Sequence, residues 1–145
     1  MAALFFPLIG SNILTIGSFN IHGLGNKLEN QTVYEWIDKH DIIFLCETKT
    51  DVKFTVPGYH VIYGTTNNPN RGGVAFLIKR HLKEFLTNID ISEPDQIWLS
   101  LSVFPGVQFG GCYVPPHDSL YYNDEELADF RHEAFLEELG LADEF

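Results

Sequence analysis

An uninterrupted apolar run constrains the fold more than any other part of the chain. It occupies Ile42–Cys46, directly after Asp41, and contains no polar alternation. A strand with one solvated face alternates apolar and polar side chains, whereas a strand covered on both faces, as in parallel sheets, is apolar throughout. Residues 13–19 form another short apolar run, and residues 30–39 carry an apolar stripe with helical spacing. This order predicts a βαβ unit with two parallel strands.

The chain after this unit alternates short strand-like segments with turns. The candidate strands are Tyr59–Tyr63 and residues 74–78, 97–103 and 107–114. A Pro-Gly pair separates the last two of these strands, which is typical of a hairpin. Residues 124–139 have helical periodicity among many acidic side chains. The sequence therefore predicts a mixed α/β domain with a parallel start and an antiparallel continuation.

The negative charge is concentrated at one end of the chain. The 145 residues include 20 acids and 9 bases, a net charge of −11. Residues 123–145 contain nine acids and one base, which gives −8, so residues 1–122 carry only −3. Surfaces that bind phosphate backbones are normally basic. The total charge thus argues against a nucleic-acid partner, whereas the nearly neutral charge of the first 122 residues is compatible with one.

We recognise no targeting or membrane signal in the sequence. No apolar run approaches the ~20 residues that span a bilayer, and residues 2–9 lack a basic leader and are interrupted by Pro7. We interpret residues 1–11 as an N-terminal segment, loose or part of the first strand, and residues 12–145 as one domain. An intracellular location, nuclear or cytoplasmic, with no membrane partner is favoured.

The two cysteines, Cys46 and Cys112, are too few for a disulfide framework. Each lies in an apolar run, so we interpret both as small core residues in a reducing compartment. A single disulfide is the alternative.

Two polar residues follow the first two predicted strands. Asn20 comes directly after residues 13–19, and Glu47 directly after Ile42–Cys46. The carboxyl ends of parallel strands meet at one edge of a sheet, where ligands gather. A carboxylate and an amide oxygen are ligands that Mg²⁺ accepts while it keeps several waters. Each residue alone also has a structural interpretation, Glu47 as a solvated acid and Asn20 as a turn residue.

Four segments resemble motifs of the endonuclease/exonuclease/phosphatase superfamily, in that family's order. S-F-N-I-H-G at 18–23 resembles its F-N-x-x-G opening, D-I-I-F-L-C-E-T at 41–48 its D-I-I-x-L-x-E-T, and R-G-G-V-A at 71–75 its G-G-V-A strand. C-Y-V-P-P at 112–116, with Asp118 and Ser119, is similar to the Y-x-P-P-x-x-S run of retrotransposon endonuclease domains. The resemblance implies a partial four-layer α/β sandwich, a mixed β-sheet with flanking helices, whose second half is largely missing.

The resemblance also implies hydrolysis of a phosphoester by an activated water, with Mg²⁺, or alternatively Mn²⁺, as cofactor. Carried over residue by residue, Glu47 would bind the metal, and Asn20 would position the metal and the phosphate. Tyr113 would offer its hydroxyl to the scissile phosphate or to neighbouring groups, although an aromatic at a strand end is more often part of the core. Arg71 is more simply explained as a solvated loop residue. DNA is the suspected partner of the parent domain.

Histidines without metal-ligand spacing are interpreted as surface or hydrogen-bonded residues. They are His22, His60, His81, His117 and His132.

Two later elements of the family, G-D-x-N and S-D-H, are not recognisable in the sequence. A-D-F-R at 128–131 is only faintly similar to the first, and we assign no catalytic role to Asp129. The sequence therefore predicts an N-terminal portion of a retrotransposon-type endonuclease domain with little or no DNA-nicking activity of its own. Its exposed sheet predicts aggregation or self-association. The alternatives are a non-catalytic interaction module and a phosphoesterase that acts on a phosphoinositide or another small phosphoester.

Overall fold

The structure is a computed structural model that describes residues 2–7 and 13–116. Its strands are β1 (Ala2–Pro7), β2 (Ile13–Asn20), β3 (Ile42–Cys46), β4 (Tyr59–Tyr63), β5 (Val74–Lys79), β6 (Leu86–Asp90), β7 (Gln96–Leu101) and β8 (Gln108–Cys112). The helix α1 spans Gln31–Asp38, and short 3-10 segments occupy Lys27–Glu29 and Arg80–Phe85.

The first sheet is mixed and has five strands in the order β1-β2-β3-β5-β4. Its parallel pair is β2 with β3, in a register that places Ile16 opposite Ile42 and Asn20 opposite Cys46. The other neighbours, β1 with β2, β3 with β5 and β4 with β5, are antiparallel. The second sheet is antiparallel, with the order β6-β7-β8. The parallel start and antiparallel continuation are therefore confirmed.

Strand β3 is covered on both faces, which explains its apolar run. Ile42 and Phe44 belong to the core between the two sheets, whereas Ile43 and Leu45 belong to the core under α1. Consecutive residues of β3 contribute to different cores because successive side chains of a strand point to opposite faces. The described residues thus form three layers, namely a helix, the first sheet and the second sheet. The predicted helix at 124–139 lies outside the described residues.

Helix α1 begins where a polar side chain caps it. The Asn30 side-chain oxygen accepts a hydrogen bond from the Val33 N–H at 3.2 Å, which pairs one amide that the first turn leaves without a helical partner. Ile37 is fully buried, and Val33 and Trp36 pack beside it against the first sheet. The predicted stripe is therefore the face that buries α1.

Close packing between the sheets is visible at Gly111 of β8. A Cβ atom at this position would overlap the ring of Phe44 from β3. Leu99 and Leu101 of β7 contribute to the same core and are almost fully buried. The second sheet therefore sits directly on the face of the first sheet that carries Phe44.

The structure adds two strands that the sequence pattern did not reveal. Residues 2–7 form β1, which is a separate strand antiparallel to β2 and not a continuation of it. Strand β6 pairs with β7, although most of its side chains are exposed. The predicted hairpin is confirmed as β7 and β8, with shorter strands and a longer connection than expected.

We expect Gly111→Ala to destabilise the fold by about 1–3 kcal/mol, because the added methyl overpacks the contact between the sheets. Urea unfolding monitored by circular dichroism measures the change. Phe44→Leu in the same chain should recover part of the loss by making room. Equal stability of Gly111→Ala and the parent chain would contradict this contact.

Candidate metal and phosphate site

The site begins where β2 and β3 end side by side. The loop after β2 is held to the chain after β3 by the Ile21 N–H on the Cys46 carbonyl (3.0 Å), the Gly23 N–H on the Glu47 carbonyl (2.7 Å) and the Leu24 N–H on the Thr48 carbonyl (2.9 Å). Asn20 and Glu47 therefore emerge at one rim of the first sheet, as the sequence predicts.

The Glu47 carboxylate has hydrogen-bonding partners on both oxygens. The Tyr113 hydroxyl donates to Oε1 at 2.6 Å, and Nδ1 of His22 lies 2.9 Å from Oε2. The Lys49 ammonium lies 3.7 Å from Oε2. The side chain of Glu47 is 13% exposed, so the carboxylate is sheltered but reachable from solvent.

Asn20 shapes the loop that follows it. Its Oδ1 accepts the His22 N–H at 2.9 Å, which closes a turn two residues long. The Asn20 side chain also makes a hydrogen bond to Glu47. The ammonium of Lys27 donates to the carbonyls of Ile21 (2.6 Å) and His22 (2.8 Å) and so stabilises the same loop.

Tyr113 comes from the second sheet and completes the site. It follows β8 and is 66 residues from Glu47 in the chain. Its hydroxyl donates to the carboxylate of Glu47, a neighbouring group, which is one of the two roles that the family resemblance implied. The site is therefore a junction between the two sheets.

Residues with positive φ angles are concentrated around Glu47. Among the described residues, the non-glycine residues with positive φ are His22 (50°), Glu47 (53°), Lys49 (54°) and Asp95 (55°). Such backbone costs energy, and it persists where the surrounding structure enforces it, often at functional sites. Three of these residues contact or carry the Glu47 carboxylate.

The hydrogen bonds keep Glu47 ionised. Burial raises the pKa of Glu47, but the bonds from Tyr113, His22 and Asn20, with the charge of Lys49, more than compensate and hold it below its ordinary value of 4.5. Burial, together with the bond to Glu47 and its charge, raises the pKa of Tyr113. Tyr113 therefore remains a hydrogen-bond donor and Glu47 an anion at neutral pH.

The donor set suits a hard divalent cation. Within residues 2–7 and 13–116, no three His, Cys, Asp or Glu side chains cluster as a metal site. Mg²⁺, however, usually binds through one or two carboxylates and keeps several waters. One ionised carboxylate with an amide beside it fits that pattern.

His22 lies beside Glu47, although the sequence predicts no functional part for it. Its side chain is exposed, yet its ring contacts Glu47. The available signal was its place two residues after Asn20, where an Asn side chain can turn the chain back. Arg71 is exposed, in agreement with a solvated loop residue.

The other sequence predictions have mixed outcomes. Cys46 and Cys112 form no disulfide, and burial, with the charges of Glu47 and Asp95, raises the pKa of the Cys46 thiol to about 11. His117, Asp129 and His132 lie outside the described residues. In the part of the chain that the structure describes, no helix is long and apolar enough to cross a membrane.

A model of the Endonuclease/Exonuclease/phosphatase family matches residues 17–144. Among curated protein sequences, none matches the chain.

Several solved structures share the fold, and two of them are an endonuclease and a phosphatase. An AP endonuclease from Archaeoglobus fulgidus is 24% identical with a TM-score of 0.58, over 86% of this chain and 51% of that one. A 3′ phosphatase from Neisseria, bound to a product DNA hairpin, is 20% identical with a TM-score of 0.54, over 83% of this chain and 50% of that one. The chain thus spans about half the length of each.

We expect Tyr113→Phe to raise the pKa of Glu47, because the variant loses a donor to the ionised carboxylate. The ionised form of Glu47 stabilises the fold above pH 4.5, and this contribution is lost as the pH falls through the lower folded-state pKa. The variant should therefore show a weaker pH dependence of stability in this window. Titration of ¹³C-labelled Glu carboxyls by NMR measures the pKa. Tyr34→Phe, in α1, is the matched control and should leave it unchanged. An unaltered Glu47 pKa in Tyr113→Phe would rule out this bond.

Proposed function

Because the chain belongs to the Endonuclease/Exonuclease/phosphatase family, we propose that it is the N-terminal part of a metal-dependent phosphodiesterase domain. The substrate in this proposal is DNA, and the parent reaction is strand nicking of the retrotransposon type. The observation that carries the proposal is the convergence of Asn20, Glu47 and Tyr113 at one rim, with the Glu47 carboxylate ionised and hydrogen-bonded by Tyr113, His22 and Asn20.

In this proposal, Glu47 and Asn20 hold a divalent cation, Mg²⁺ or Mn²⁺. When bound, such a cation would supply positive charge that stabilises the oxygens of a phosphate. Tyr113 orients the Glu47 carboxylate through its hydroxyl and is close enough to this rim to donate to a phosphate oxygen instead. The His22 ring steadies the second carboxylate oxygen. These residues position the reacting groups and do not themselves form a covalent intermediate.

Positive side chains around the rim support an anionic substrate. Lys49 approaches Glu47, and Lys27 holds the loop of His22. The exposed Arg71 precedes Gly72, whose carbonyl accepts the Lys49 N–H at 2.8 Å. Two ammonium groups thus lie at the loops around Glu47, and Arg71 belongs to the turn that is hydrogen-bonded to Lys49, which favours binding of a phosphate. The DNA hairpin bound by the Neisseria 3′ phosphatase and the Y-x-P-P resemblance at 113–116 favour DNA over a small phosphoester.

We expect Glu47→Gln to weaken Mn²⁺ binding about 10-fold or more, because a metal loses its anionic ligand and even groups outside the coordination shell are worth 10–100-fold. Electron paramagnetic resonance of free Mn²⁺ during a titration measures the affinity. Glu84→Gln removes the same charge from an exposed position in the second 3-10 segment and should change the affinity less than about twofold. Equal affinities for the two variants would overturn the metal site, as expected of a module that only binds a protein partner.

We expect the 145-residue chain to nick supercoiled plasmid no faster than buffer in the presence of Mg²⁺ or Mn²⁺. The G-D-x-N and S-D-H elements of the family are not recognisable in it, and loss of one positioned acid–base group alone costs about 10²–10⁴-fold in rate. Gel analysis of plasmid topology measures the reaction. Nicking that disappears in Glu47→Ala would contradict the expected inactivity.

A further inference from the structure

Asp95 is a buried carboxylate that the proposed chemistry does not use. It ends the loop before β7 and is 0% exposed. Burying a carboxylate is costly unless strong hydrogen bonds compensate for the lost water. Its φ of 55° adds backbone strain, so this position combines two unfavourable features. The hydrogen-bond partners of Asp95 account for its placement.

The side chain of Asp95 holds the turn before β5. The Gly73 N–H donates to Oδ1 at 2.8 Å, and the Thr66 hydroxyl donates to Oδ2 at 3.2 Å. The Asp95 N–H also donates to the Thr65 carbonyl at 2.6 Å. Asp95 thereby binds both ends of the connection between β4 and β5.

Gly73 passes this constraint to the residues after Glu47. The Gly73 carbonyl accepts the Thr48 N–H at 3.1 Å, and the neighbouring Gly72 carbonyl accepts the Lys49 N–H. Gly73 has a φ of 100°, and a Cβ there would overlap the Thr48 hydroxyl. The two turns are therefore in direct backbone contact, and a shift of Gly73 moves Thr48.

The backbone of Asp95 holds the other half of the site. Its carbonyl accepts the Tyr113 N–H at 2.9 Å. The Tyr113 hydroxyl in turn donates to Glu47. A closed circuit thus runs by hydrogen bonds from Asp95 through Gly73 to Thr48, along the chain to Glu47, and by hydrogen bonds from Glu47 through Tyr113 back to Asp95.

We propose that Asp95 is a positioning residue that sets the separation between the Glu47 turn on the first sheet and Tyr113 on the second. Its carboxylate fixes one side and its carbonyl the other, so the Tyr113 hydroxyl stays on the Glu47 carboxylate. The structural part of this inference is independent of the reaction. Its consequence for metal affinity rests on the proposed function.

Amide hydrogen exchange tests the structural part. In Asp95→Ala, the amides of Gly73, Thr48 and Tyr113 should exchange about 10-fold faster or more relative to the amide of Ile43 in β3, because the circuit opens locally. Leu101→Ala, in the core at the far end of β7, is the matched control. It lowers global stability, and it should leave those three ratios unchanged. Unaltered ratios in Asp95→Ala would overturn the proposal.

Mn²⁺ affinity tests the consequence. Asp95→Ala should weaken Mn²⁺ binding about 10-fold, the range seen when groups that orient a metal ligand are removed, whereas Leu101→Ala should not. Faster exchange of the three amides with unchanged Mn²⁺ affinity would show that Asp95 only stabilises the loop, which overturns the positioning role. If the parent chain binds no Mn²⁺, the proposed function fails, and the exchange ratios still decide whether Asp95 links the two sheets.

Two further variants keep the test decisive if Asp95→Ala does not fold. Asp95→Asn retains the shape and an acceptor for Gly73, and Thr66→Val removes the hydroxyl that donates to Oδ2 and accepts the Asn68 N–H. Both should raise the exchange ratios of Gly73 and Thr48 by about threefold, less than full removal, because part of the circuit remains. Ratios equal to those of the parent chain in both variants would count against the proposal.

Discussion

The parallel pairing of β2 with β3 is the constraint on which the site depends. Parallel strands need a crossover, here through α1, and a strand paired inside such a sheet is buried on both faces. β3 meets this requirement with side chains that serve two separate cores. The register then brings Asn20 level with Cys46, so that Glu47 leaves the sheet beside it. A shift of one residue would turn every side chain of β3 to the wrong face.

The second constraint is the packing of one sheet on the other. Glu47 belongs to the first sheet and Tyr113 follows the second, and their contact closes the site. The overlap that a Cβ at Gly111 would cause with Phe44 shows how near the sheets come just before Tyr113. The geometry of the site is therefore sensitive to changes where Gly111 packs on Phe44 as well as to changes at the rim.

The sequence predicts the parts of the fold that have a recognisable local pattern. The apolar run of β3, the stripe of α1 and the Pro-Gly turn between β7 and β8 each follow from local chemistry. β6 was missed because its exposed, mixed side chains in L-T-N-I-D have no clear alternation; the strand exists through its pairing with β7. An edge strand of this kind owes its structure to a neighbour rather than to its own pattern.

The site residues fall into the same two groups, those that a local sequence pattern predicts and those that it does not. Asn20 and Glu47 follow from their places after two strands, whereas Tyr113 came only from the family resemblance. His22 and Asp95 were missed because their roles depend on contacts across 22 residues or more and on positive φ angles, which side-chain periodicity does not encode. Long-range hydrogen bonds of this kind leave no local signature.

The electrostatics of Glu47 explain why these contacts suit a cation. Its close hydrogen-bond donors are the Tyr113 hydroxyl, the Asn20 amide and the exposed His22 ring, whereas the Lys49 ammonium stays beyond hydrogen-bonding distance. Uncharged donors such as the Tyr113 hydroxyl and the Asn20 amide lower the pKa of a carboxylate without cancelling its charge. Asp95 adds a fully buried carboxylate whose charge, like that of Glu47, raises the pKa of Tyr113, and a divalent cation at the rim would offset this negative charge.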